Sequence, residues 1–66
     1  MTGEQLRYFR ERAGYTQKAL GIALGYEPHA GENTVQHWER GERQIPVKHF
    51  RKLCELLGIT LEDLVP

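Results

Sequence analysis

At 66 residues, with 39% hydrophobic and 27% charged side chains, the chain is expected to form one domain over residues 1–66 that buries roughly 60% of its unfolded surface, which excludes a disordered tail. No apolar run approaches the roughly 18 residues of a membrane span, and the opening Met1-Thr2-Gly3-Glu4 has neither the basic nor the apolar part of a secretory leader, so a cytoplasmic, membrane-free protein is expected. A net charge of zero argues against a polyanionic partner unless the charges are unevenly placed.

In chain order, Leu6, Phe9 and Ala13 recur at helical spacing behind a Thr2/Gln5 cap, and Gly14 can end the run. This predicts a first helix over about 3–13. Thr16 is the next N-cap, and Leu20, Ala23 and Leu24 form a stripe that Gly25 stops, which predicts a second helix over about 17–24. The stretch Tyr26-Glu27-Pro28-His29-Ala30-Gly31 reads as a turn because proline and glycine interrupt it. Asn33-Thr34-Val35-Gln36 then reads as a capping box, and Val35 and Trp38 share a face, which predicts a short third helix over about 33–40, ended by Gly41. Pro46 suits a first helical position, and Val47, Phe50, Leu53, Cys54 and Leu57 repeat up to Gly58. A fourth helix over about 46–57 follows, and Thr60 can cap a last short one in which Leu61, Leu64 and Val65 supply the apolar side and Asp63 sits in the first turn. The expected fold is all-α, with Leu6, Leu20, Leu24, Val35, Trp38, Phe50, Leu53 and Leu57 in one core.

The charges are indeed uneven. Residues 1–26 carry Arg7, Arg10, Arg12 and Lys18 against Glu4 and Glu11, and residues 40–52 carry Arg40, Arg43, Lys48, Arg51 and Lys52 against Glu42. The remaining acids fall in residues 27–39 (Glu27, Glu32, Glu39) and 53–66 (Glu55, Glu62, Asp63). Folding can therefore gather a basic face, although ordinary solvated charge gives the same blocks. Cys54 sits in an apolar stripe and reads as a small hydrophobe. His29 and His49 have no identifiable partner, the histidines and the single cysteine match no metal-ligand spacing, and no serine or phosphate-binding loop is present. Neither a cofactor, nor a metal, nor a small-molecule substrate, nor an enzymatic activity is expected.

Thr16-Gln17, Leu20-Gly21, Leu24-Gly25, Thr34-Val35, Trp38-Glu39-Arg40-Gly41 and the closing Leu57-Gly58-Ile59-Thr60-Leu61-Glu62-Asp63-Leu64 resemble the lambda-repressor-like, Xre/Cro-type helix-turn-helix domains over nearly the whole chain. The resemblance implies a compact five-helix domain whose second and third helices form the motif, and a sequence-specific DNA-binding regulator of phage-repressor type, usually a homodimer on two half-sites. It also leaves an alternative: an antitoxin-like or other protein-binding module on the same fold, for which DNA is secondary. In this frame Gly21 lacks a side chain where the two helices cross. Tyr26 to Asn33, eight residues by count, separate the turn glycine from Thr34 where family members have about four, so a lengthened turn is expected, at little cost in closure entropy.

The resemblance also assigns residues. Arg10 pairs with Glu39 and braces the recognition helix, a solvated or phosphate-facing Arg10 being the other reading. Asn33, Thr34, Gln36 and His37 become the base readers, with Glu32 beside them; Asn33 reads equally as a helix cap, and His37 as a surface histidine. Gln17, Arg40, Arg43, Gln44 and Lys48 become the phosphate contacts, together with the start of the second helix. The operator, the sign of regulation and the partner protein are not encoded in any motif.

Overall fold

The structure, a computed structural model, describes residues 1–64. Five α-helices follow one another, and no strand occurs among the described residues: α1 (Gly3–Arg12), α2 (Gln17–Ala23), α3 (Pro28–Glu39), α4 (Phe50–Leu57) and α5 (Leu61–Leu64), with a 3-10 turn, Val47–His49, leading into α4. The N-caps read from sequence at Thr2 and Thr16 are formed. Thr2 Oγ1 accepts from the Gln5 amide at 3.1 Å while Gln5 Oε1 accepts from the Thr2 amide at 2.8 Å. Thr16 Oγ1 accepts from the Ala19 amide at 3.0 Å, and Asp63 Oδ2 accepts from the Thr60 amide at 3.0 Å. Gly25 turns the chain out of α2 with φ of 101°, a conformation costly to residues with a Cβ.

The third helix differs from the sequence expectation. It begins at Pro28, not near Asn33, and the turn before it is short rather than lengthened. The residues added relative to the family spacing thus extend the helix by about one turn. Pro28 occupies the first helical turn, where a missing amide hydrogen costs nothing. Gly31 is buried on the core stripe with Val35 and Trp38, at helical spacing. Asn33 and Thr34 are therefore interior to α3 and form no capping box; the Thr34 hydroxyl instead donates to the Ala30 carbonyl at 2.7 Å. What reads as two breakers is a helix start and a crossing point, because a Cβ on Gly31 would stand 2.8 Å from Gly21 Cα, and one on Gly21 would strike the Gly31 backbone. The two helices meet backbone to backbone.

Leu6, Leu20, Val35, Trp38, Leu53, Leu57, Ile59 and Leu64 form the buried core. Leu24, Phe50 and Cys54 pack against it half-buried, so the first two sit at its margin rather than inside. Leu64 is buried, whereas Leu61 faces solvent and Val65 lies outside the described residues. Gly3 brings the start of α1 onto the end of α3, where any Cβ would collide with the Glu39 carbonyl. No helix among the described residues is long and apolar enough to cross a membrane.

Candidate nucleic-acid interface

The third helix is held at both ends. Near its start lies the Gly21–Gly31 crossing. At its end, Arg10 Nε donates to Glu39 Oε2 at 2.5 Å and Nη2 donates to Oε1 at 3.2 Å, while Nη1 donates to the Tyr15 carbonyl at 2.8 Å. Both side chains are more than nine-tenths buried. A fork of this kind satisfies guanidinium and carboxylate together and ties α1, the turn after it and α3 into one unit. Gln17 Nε2 joins it, donating to Glu39 Oε1 at 3.1 Å. Gln17, expected on phosphate, thus spends one amide hydrogen inside the brace and keeps its other polar atoms.

Beneath α3 lies a cluster that sequence reasoning missed. Tyr26, from the turn before α3, and the buried His49 share a hydrogen bond of 2.8 Å between Oη and Nε2. The rings of both lie near Trp38, with centroids 6.4 Å and 5.7 Å from it. Burial, and secondly the charge of Lys48, lower the His49 pKa from 6.5. No local signal marks this partnership, because Tyr26 and His49 stand 23 residues apart.

Outward from this support, at about 3.6 residues per turn, Asn33, Gln36, His37 and Arg40 fall opposite the Gly31–Val35–Trp38 stripe. Asn33 and Arg40 are exposed; Gln36 and His37 are half-buried. Thr34 lies on the flank, its hydroxyl committed to Ala30 and its methyl left over. Asn33 Nδ2 is 3.4 Å from His29 Nε2, and His37 Nδ1 is 2.8 Å from Glu42 Oε1. Neither His29 nor Glu42 was expected here. The residues expected on phosphate do not form one patch: Gln17 and Arg40 line a polar groove with Gln36, Glu32 and Arg7, whereas Arg43 and Gln44 border a separate depression beside Met1 and Phe50, and Lys48 is exposed on the 3-10 turn.

Two short helices crossing at paired glycines, the second presenting a braced polar stripe, constitute a helix-turn-helix, and a family model described as "Helix-turn-helix domain" matches residues 2–65. The chain belongs to the helix-turn-helix domain family. No curated protein and no solved structure matches it. Membership implies a DNA-binding domain in general terms.

Proposed function

We propose that this helix-turn-helix protein is a sequence-specific transcriptional regulator of phage-repressor type, a homodimer that reads two half-sites of double-stranded DNA in the cytoplasm. The observation that carries the reading is the solvent stripe of α3, polar throughout and held against α1 and α2 by the Arg10–Glu39–Gln17 brace. In the major groove Asn33 offers the paired donor and acceptor that match adenine, His37 and Gln36 offer further hydrogen bonds to base edges, and the Thr34 methyl packs on thymine. Arg40, Arg43, Gln44 and Lys48 supply phosphate contacts around the helix, with the free amide atoms of Gln17. The reading assigns no catalysis, metal or cofactor.

Selection from a random duplex pool at moderate salt tests it. The expected result is an enriched site with two related halves, and Asn33→Ala relaxing the preference at particular base pairs by roughly 1 to 3 kcal/mol each. Exposed Tyr8, Ile22, Val47 and Leu61, together with zero net charge, support the second reading, an antitoxin-like protein-binding module. No enriched site, with a stoichiometric protein partner instead, replaces the first reading by the second.

A further inference from the structure

Resting on the reading of α3 as the base-reading helix, one contact on its stripe carries a consequence for specificity. His37 Nδ1 lies 2.8 Å from the Glu42 carboxylate, and the Glu42 amide donates to the His37 carbonyl at 2.9 Å, so the acid is anchored to the same residue at backbone and side chain. With side chains 41% and 51% exposed, the pair adds little to stability. What it fixes is chemistry. A carboxylate only accepts, so a neutral ring keeps its proton on Nδ1 and leaves Nε2 as a bare acceptor; the protonated ring carries a donor at the same atom.

We propose that Glu42 is a positioning residue for base recognition, which makes Nε2 of His37 the atom offered to the major groove. The neutral ring then takes an amino group, N6 of adenine or N4 of cytosine, and the imidazolium takes O6 of guanine, where adenine carries a donor instead. One base pair of the recognised site changes its preferred identity with pH, guanine gaining as pH falls. Besides Glu42, the charged groups lining the groove beside Gln36 are Glu32 and Glu39 on α3, Arg40 at its C-cap, and Glu4, Arg7 and Arg10 on α1. His29, beside Asn33 on the same helix, is the other histidine of the stripe.

The test has two arms. In the free protein, nitrogen-15 spectra of the imidazoles at about pH 8.5 are expected to show the Nδ1-protonated tautomer for His37, and a shift toward the Nε2-protonated one in Glu42→Ala. On the selected site, duplexes that differ only at the His37 base pair are compared at about pH 6 and about pH 8.5. The guanine-to-adenine affinity ratio is expected to change about tenfold in the wild type and in His29→Ala, the worth of one charge-assisted hydrogen bond, and less than about threefold in Glu42→Ala. An Nε2-protonated His37 in the wild type, a ratio that ignores pH, or a Glu42→Ala variant that behaves as the wild type each overturns the proposal while leaving DNA binding intact. Failure to enrich any site overturns the DNA reading itself and the base role with it, whichever tautomer is found.

Discussion

Glu39 and Glu42 stand three residues apart and carry the same charge, yet their surroundings separate their effects. Glu39 is buried against Arg10, and removing its charge strands a guanidinium out of water, a loss of about 3–5 kcal/mol where one partner of a buried pair is removed. Glu42 is half-exposed beside His37, where such pairs contribute about 0–1 kcal/mol. Urea unfolding is thus expected to find Glu39→Gln far less stable than Glu42→Gln; equal midpoints would mean that water reaches the Arg10 fork. His49 gives a pH dependence. Its pKa in the folded protein is lowered below 6.5 by burial and then by Lys48, so the unfolded chain binds this proton more readily. The stability it contributes is complete above its unfolded value and is lost as pH falls through that value toward the folded one, at no more than about 1.4 kcal/mol per pH unit. Between about pH 7.5 and about pH 5.5 the wild type should lose more stability than His49→Gln. Parallel losses would assign the acid sensitivity to other groups. At this scale the Arg10–Glu39 pair was legible through the resemblance, because Glu39 lies in the matching Trp-Glu-Arg-Gly segment and the family pairs that acid with an arginine of the first helix. Tyr26 with His49 was not, since nothing local distinguishes a buried histidine from a solvated one.

At the scale of the element, α3 depends on two glycines that touch. Replacing a helical glycine by alanine ordinarily stabilises a helix by up to about 1 kcal/mol. At Gly31 the new Cβ would stand 2.8 Å from Gly21 Cα, so α2 and α3 must separate, and Gly31→Ala is expected to destabilise by about 1–3 kcal/mol instead, as overpacking does. A thermal melt at or above the wild-type midpoint would show that the crossing can relax. The same residue explains the misplaced helix start. Gly31 and Pro28 are turn signals when read alone; they become helix residues once Gly31, Val35 and Trp38 are seen on one stripe. The period is local, but a side-chain-free position on that stripe reads as an interruption until the second helix is in place.

For the whole molecule, charge distribution outweighs net charge. The brace takes one acid and one base, Glu39 and Arg10, out of solvent together, so the surface stays neutral in sum and only the placement of exposed bases such as Arg40, Arg43 and Lys48 can favour a polyanion. If the proposed DNA contact holds, Arg43→Ala and Lys48→Ala should each weaken binding to all duplex sequences alike. Each should also reduce the slope of log affinity against log salt by about 0.9, one phosphate contact and its counterion. An unchanged slope would remove that residue from the interface, and this measurement matters most for Arg43, which borders the depression beside Met1 rather than the groove beside Gln36.

The order and character of the helices followed from the sequence alone, because caps, terminating glycines and apolar spacing are local and each satisfies its backbone groups within a few residues. So did most of the core, whose buried leucines, Val35 and Trp38 declare themselves by period. Tertiary structure decided where α3 begins, why Gly31 carries no side chain opposite Gly21, and how deeply the Arg10–Glu39 pair is buried. Those are matters of distance between segments remote in sequence. Their physical causes, excluded volume at a helix crossing and desolvation of a paired charge, exist only once the segments are brought together.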